Sequence, residues 1–143
     1  MIKRLFETNR PIFFITDKQE FGFWLDANEV FSLEDVPFSS TATTVSLFCL
    51  PVFDEEDSNF NEVSIYVNEH PTKDEIANYC SAFNGILAIP SKTIEISESD
   101  QEVIFAKEFD TDKIGLTVFI EKDYTRDAPS KFLVILNDKI EVV

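Results

Sequence analysis

The sequence predicts a mostly β (α+β) protein, either an antiparallel β-sandwich or a curved sheet, with about eight to ten short strands and one packed helix near residues 72–84. Three observations support this class. Fifteen of the 143 residues are Phe, and aromatic residues favour pleated, half-buried surfaces. Short apolar segments recur along the chain and are separated by polar turn signals, whereas a single segment has the apolar period of a helix. A layered α+β fold is the alternative.

The first half of the chain carries four strand signals. Residues 12–16 form an apolar run and residues 21–25 alternate between apolar and other side chains, with a polar stretch between them that is typical of a hairpin. Residues 43–53 are rich in β-branched and aromatic side chains. Residues 63–67 alternate with one polar face, as expected for a half-buried strand.

The helix prediction depends on a start signal followed by an apolar stripe. Thr72 and Glu75 have the spacing of a capping box, in which the Thr hydroxyl accepts from the backbone N–H of the Glu. Asn84 and Gly85 are a natural stop. The stripe positions follow the helical spacing i, i+3, i+4 and i+7. They are Ile76, Tyr79, Cys80 and Phe83.

The second half of the chain is predicted to be a series of strands. They fall at residues 86–89, 93–96, 102–105, 114–120, 131–136 and 140–143, with turn residues between them. No internal repeat, low-complexity tract or linker interrupts the sequence. These features predict a single domain over residues 1–143.

Charge is the strongest compositional signal. Twelve basic residues face twenty-seven acidic ones, for a formal net charge of −15. Such a field repels nucleic acids and anionic membrane surfaces over a Debye length of about 8 Å, and it attracts basic proteins. Simple solvation of the surface explains the charge equally well. Lys3, Arg4 and Arg10 lie within the first ten positions, so the acidity belongs to the rest of the chain.

Cysteine usage and hydropathy predict a cytoplasmic location. No apolar run approaches the roughly 18 residues of a membrane helix, and no targeting segment is evident. Cys49 and Cys80 lie in apolar-patterned segments and are predicted to be buried thiols. A single disulfide between them remains an alternative.

Catalytic and metal-binding motifs are weak. His70 is the one histidine, and a loop position before the predicted helix explains it without a nucleophile system. Residues 57–61 resemble the first half of an EF-hand loop, but Glu62 stands where Gly is needed and Asn68 where a bidentate Glu is needed. Three isolated glycines build no phosphate loop. We therefore predict no catalytic residue, no metal and no cofactor, while a carboxylate-based hydrolase stays open.

Acidic clusters remain as candidate binding features. They occur at residues 54–57, 97–102 and 108–112, and each is also explained as a solvated loop. Carboxylates beside aromatic rings suit a basic cleft, because the charges pair with Lys and Arg while a ring supplies buried anchor area. The predicted partner-binding residues are Phe53, Asp54, Glu55, Glu56, Asp57, Phe60, Glu98, Asp100 and Glu102.

Two resemblances give these features a functional interpretation. In size and charge the chain resembles the small acidic immunity proteins that bacteria pair with polymorphic or contact-dependent toxins. The β patterns at residues 86–91, 108–110 and 114–117 resemble the competence protein J type of nuclease inhibitor. The resemblance implies a protein that neutralises a basic toxin, such as a nuclease. The negative charge predicts that the chain binds neither nucleic acid nor membrane. A structural or adaptor module of phage or secretion origin is the alternative, followed by the hydrolase.

Overall fold

A computed structural model describes residues 1–18, 44–52, 60–100, 102–125 and 128–139. Within these ranges lie strands β1 to β9 and a short helix, α1. The predicted strands at residues 21–25 and 140–143 fall outside them. The elements are β1 (Ile2–Phe6), β2 (Ile12–Asp17), β3 (Thr44–Phe48), β4 (Asn61–Val67), α1 (Lys73–Ile76), β5 (Tyr79–Ala88), β6 (Thr93–Glu98), β7 (Val103–Glu108), β8 (Lys113–Glu121) and β9 (Lys131–Asn137).

The strands form two sheets, which confirms the mostly β class. A five-stranded sheet has the order β1-β4-β9-β8-β5, and a four-stranded sheet has the order β3-β2-β6-β7. All neighbouring strands are antiparallel except β4 and β9. These two strands are parallel to each other, and Val63 of β4 lies opposite Phe132 of β9. Strand β1 was missed by the sequence analysis, because its apolar residues are interrupted by Lys3 and Arg4.

The two sheets share one apolar core. In β8, buried side chains alternate with partly exposed ones along the strand, as expected when one face of a sheet packs inward. Phe13 lies at the centre, with ring centroids 5.3 Å from Phe6 and 4.8 Å from Phe132, both edge-to-face. This geometry is favoured by the ring quadrupole, and it is one use of the high Phe content.

The predicted helix starts where expected but is much shorter. The Thr72 hydroxyl accepts from the backbone N–H of Glu75 at 3.2 Å, as the capping box predicts. Helix α1 then ends at Ile76. The prediction of a helix through residue 84 is wrong, because β5 begins at Tyr79 and pairs along its whole length with β8.

The error has a geometric cause. Residues four positions apart share a face in a helix and also in a strand, so the Tyr79–Phe83 spacing fits both. A register shift between Ser81 and Phe83 then adds one residue to the strand, which turns Phe83 into the core while Tyr79 packs on the outer face of the sheet.

The two cysteines differ from the prediction in one respect. Both are free thiols, and Cys49 is buried as predicted. Burial, with a smaller effect from the nearby Glu98 carboxylate, raises the pKa of the Cys49 thiol. Cys80 was expected on a buried helical stripe and is instead exposed on β5. In the described part of the chain, no helix has the length and apolar character to cross a membrane.

Candidate protein-docking surface

Strand register places the connecting segments at two opposite ends of the sandwich. Strand β1 finishes where β4 starts, since Phe6 pairs with Asn61, and β2 starts where β3 finishes, since Ile12 pairs with Phe48. We call this the Phe60 end and define it by residues 7–11, 49–52, 60, 99, 100, 102, 122–125 and 128–130. The opposite end is called the His70 end and comprises residues 68–70, 89–92, 109–112, 138 and 139.

Hydrogen bonds between buried polar groups fix the Phe60 end. The buried Thr8 hydroxyl contacts the Ser99 hydroxyl and accepts from the Ser99 backbone N–H at 3.3 Å. The Ser99 hydroxyl in turn accepts from the Arg10 N–H at 3.2 Å, and the Val52 N–H donates to the Thr8 carbonyl at 2.8 Å. Three segments that are remote in sequence are therefore held as one unit.

Asn61 holds the segment after β3 in the same way. Its side-chain amide donates to the Leu50 carbonyl at 2.8 Å and accepts from the Leu50 N–H at 3.2 Å. Asn61 is fully buried, so both bonds are protected from competition with water. The preceding residue, Phe60, is 50% exposed. Phe60 is thus an exposed ring attached directly to a rigid anchor.

Glu98 does not present its carboxylate to a partner. The residue is 3% exposed, and its Oε1 accepts from the backbone N–H groups of Asp100 and Glu102, each at 2.9 Å. Its role is to hold the turn between β6 and β7. We therefore leave Glu98 out of the docking surface, whereas Asp100 and Glu102 are exposed on that turn. Asn9 donates to the Asp100 carboxylate at 2.5 Å and orients it.

A depression of about 480 Å³ lies beside Phe60. Tyr124, 39% exposed, and the carboxyl-bearing residues Glu121 and Asp123 line it together with Phe60. The Glu121 carboxylate accepts from the Ser130 N–H at 2.6 Å and from the Ser130 hydroxyl at 3.1 Å, which fixes its position. The depression therefore combines two exposed aromatic rings with carboxylates.

Sequence reasoning missed Glu121, Asp123 and Tyr124. The signal was a Glu-Lys-Asp-Tyr stretch directly after the predicted strand at residues 114–120. Lys122 interrupts the run of acidic residues, so the stretch did not stand out as a cluster. Its proximity to Phe60 arises from the parallel pairing of β4 with β9 and the antiparallel pairing of β9 with β8, and that pairing is not visible in the sequence.

The five remaining predicted partner-binding residues are among those that the structure does not describe, namely Phe53, Asp54, Glu55, Glu56 and Asp57. The residues on either side, Val52 and Phe60, both belong to the Phe60 end. The third acidic cluster, at residues 108–112, lies at the His70 end.

A separate polar groove of about 400 Å³ crosses the outer face of the five-stranded sheet. There the Tyr66 hydroxyl donates to the Glu75 carboxylate. Burial, followed by this bond, raises the pKa of Tyr66, and the same bond lowers the pKa of Glu75. At neutral pH the tyrosine stays protonated and the glutamate ionised, so the pair ties α1 to β4. His70 and Glu69 lie in the same groove.

Within the described ranges, no group of three or more His, Cys, Asp or Glu side chains is arranged to hold a metal ion. We find no significant match to the chain among protein-family models, curated proteins or solved structures. The resemblance to toxin-immunity proteins and nuclease inhibitors therefore stays a prediction.

Proposed function

We propose that this protein is an inhibitor of the immunity type, which binds and neutralises a basic partner protein through the Phe60 end. The observation that carries the proposal is the depression in which Phe60 and Tyr124 lie beside Glu121 and Asp123. The exposed residues Asp100 and Glu102 add negative charge at the same end. The net charge of the chain is −15, and a negative charge attracts a basic partner.

The two kinds of side chain have different roles in such an interface. Exposed carboxylates accelerate encounter with a basic surface and restrict the choice of partner. Aromatic rings that become buried at the centre of an interface contribute most of the affinity. The hydrogen bonds of Thr8, Asn61 and Ser130 hold the surface in place before binding, which lowers the ordering cost of association.

A toxin that cleaves nucleic acid is the proposed target class. Such enzymes carry basic clefts for phosphate groups, and an acidic protein that occupies the cleft blocks access of the substrate. Fast, charge-steered association suits neutralisation of a toxin on arrival.

The proposal is tested by capture of partners from a lysate of the cells that make the protein, with washes at low and then high salt. We expect a stoichiometric basic protein, identified by mass, that salt releases. Its catalytic activity should fall as this chain is added. The double variant Phe60→Ala, Tyr124→Ala should lose about 2 kcal/mol or more of binding free energy, or roughly 30-fold in Kd.

The matched control is Asp110→Ser, Asp112→Ser at the His70 end, where both residues are exposed. This variant should retain the partner with nearly unchanged affinity. Equal retention by the Phe60 and Tyr124 variant, or retention of acidic or neutral proteins alone, would contradict the proposal.

A further inference from the structure

A groove of about 580 Å³ lies between the edge strands of the two sheets, away from the Phe60 depression. Strand β1 is the edge of the five-stranded sheet and β7 the edge of the four-stranded sheet. Apolar side chains of both strands line the groove, including the exposed residues Ile2 and Val103 and the buried Phe105. The described strands therefore leave the sandwich open along this side, with apolar surface in the opening.

Within the described ranges β1 pairs with β4 alone and β7 with β6 alone, so one edge of each strand has no described pairing partner at the groove. Most of β7 is exposed, with Phe105 as its buried residue. An exposed edge strand presents a row of N–H and C=O groups that another strand can pair with.

The charge of the groove is opposite to that of the chain. Arg4 and Lys107 line it, and no carboxylate belongs to the described residues that line it. Neither cation forms an ion pair with a described residue. In a chain of net charge −15, an apolar groove bordered by these two cations favours an acidic occupant over a basic one.

A second copy of the chain is disfavoured as the occupant. Pairing of two β1 edges would bring Lys3 and Arg4 of one copy towards the same cations of the other, and like charges across strands are destabilising. The net charge of −15 on each copy adds repulsion. The occupant is therefore expected to be a segment of a different protein.

We propose that this groove binds an extended acidic–apolar segment of a partner protein, which adds as a strand to the free edge of β7. No register shift separates Phe105 from Lys107 on β7, so these two residues share one face of the strand. The complementary segment carries an apolar and an acidic residue two positions apart. Its carboxylate pairs with the cations of the groove, and its apolar side chains cover Ile2 and Phe105.

The probe is a blocked, fluorescent peptide of sequence TETVTVTET, which reads the same in both strand directions. It places two Val and a Glu at alternate positions whichever way it binds. The control peptide TKTVTVTKT differs only in charge, and a second control is the acidic peptide with methylated backbone nitrogens. Fluorescence anisotropy measures affinity, and amide hydrogen exchange locates the peptide on the protein.

We expect the acidic peptide to bind about fivefold or more tightly than the basic one and to slow exchange in β7. The methylated peptide should not bind, because it lacks the donors for strand pairing. Arg4→Glu, Lys107→Glu should reverse the charge preference, while the exposed control Lys113→Glu should keep it. Circular dichroism of each variant checks that the fold is retained.

Equal affinity for the acidic and basic peptides, undetectable binding of the acidic peptide at about 1 mM, or protection confined to strands other than β7 would overturn the proposal. Binding of the methylated peptide would overturn strand addition. A concentration-dependent dimer that the peptide dissociates would assign the groove to a second copy instead. The test uses no basic partner, so its outcome is independent of the function proposed for the Phe60 end.

Discussion

The two ends of the sandwich are built in the same way but expose different chemistry. At each end a buried carboxylate accepts hydrogen bonds from a connecting segment, the β6–β7 turn at the Phe60 end and the β5–β6 connection at the His70 end. Glu98 accepts from two backbone N–H groups at the Phe60 end. At the His70 end Asp17, fully buried, accepts from the Ser91 N–H at 3.0 Å and from the Ser91 hydroxyl at 2.7 Å.

Exposed carboxylates also occur at both ends, so charge alone does not distinguish them. Asp110 and Asp112 are exposed at the His70 end, where the neighbouring ring, Phe109, is buried in the core. At the Phe60 end, by contrast, the rings of Phe60 and Tyr124 are exposed beside the carboxylates. Aromatic exposure next to charge is therefore the feature that singles out one end as a docking surface.

The largest effect is expected from loss of the Glu98 carboxylate. Glu98→Ala leaves the N–H groups of Asp100 and Glu102 without their acceptor, and we expect a loss of about 2–4 kcal/mol in the free energy of unfolding. Glu98→Gln is the matched control. A single carboxylate oxygen of Glu98 accepts both bonds, and the side-chain amide oxygen of Gln can accept them in its place. Urea unfolding measures both variants.

The same pair of substitutions applies to Asp17, and it tests whether the two ends are built alike. Asp17→Ala should cost a similar amount and Asp17→Asn less. If the Ala and Gln variants of Glu98 were equally destabilised, the turn would depend on charge rather than on an oxygen acceptor. If Asp17 and Glu98 responded differently to their paired substitutions, the structural parallel between the ends would fail.

A smaller loss is expected at Thr8. Thr8→Val replaces a buried hydroxyl that bonds to Ser99 with a methyl group, and it should cost about 1–2 kcal/mol of unfolding free energy. Thr8→Ser keeps the hydroxyl and should recover most of the loss. Hydrogen exchange of the Ser99 and Arg10 N–H groups would rise in the Val variant; unchanged exchange there would mean that the segments are held by other contacts.

Much of the fold follows from local pattern, but the site depends on pairing. The alternation in residues 63–67 and 114–120 predicts β4 and β8 well, because one face of each strand packs on the core. The position of Tyr124 beside Phe60 depends on strand order across β4, β9 and β8. That order is set by long-range packing, which leaves no short-range trace in the sequence.

Burial of a charged residue is equally hard to predict from sequence. Glu98 lies in a run of Ser, Glu and Asp that is typical of a solvated loop, yet the turn folds its backbone N–H groups around the side chain. Asp100, two residues later, is exposed. The composition identifies the acidic segment, but only the geometry of the turn shows that Glu98 has a structural role while Asp100 is exposed.

Charge neutralisation at each end should affect association rather than stability. Asp100→Asn with Glu102→Gln should slow association with the basic partner about two- to fivefold at low salt, and Asp110→Asn with Asp112→Asn should slow it less. All four side chains are exposed, so unfolding free energies should stay within about 0.5 kcal/mol. Stopped-flow binding at several salt concentrations compares the pairs. Equal slowing by both pairs would assign steering to net charge and remove the distinction between the ends.

The smallest effect on stability is expected from loss of the bond between Tyr66 and Glu75. Glu75 belongs to α1, which lies in the segment that joins the two ends across the outer face of the five-stranded sheet. This bond lowers the pKa of Glu75 in the folded state. Ionised Glu75 therefore stabilises the fold above its unfolded pKa of about 4.3, and the contribution disappears as pH falls through the lower folded value. Tyr66→Phe should raise the Glu75 pKa, measured by carboxyl NMR titration. Its destabilisation should be greater at neutral pH than in acid.

The control for this variant is Tyr79→Phe, since Tyr79 packs in the same outer cluster and its hydroxyl bonds to no described residue. That substitution should leave the Glu75 titration unchanged. A Tyr66→Phe destabilisation of the same size at neutral and acid pH would mean that the hydroxyl acts through packing alone. The bond to Glu75 would then not couple α1 to β4, and the segment between the ends would be held by the apolar contacts of Ile76 and Tyr79 with the sheet.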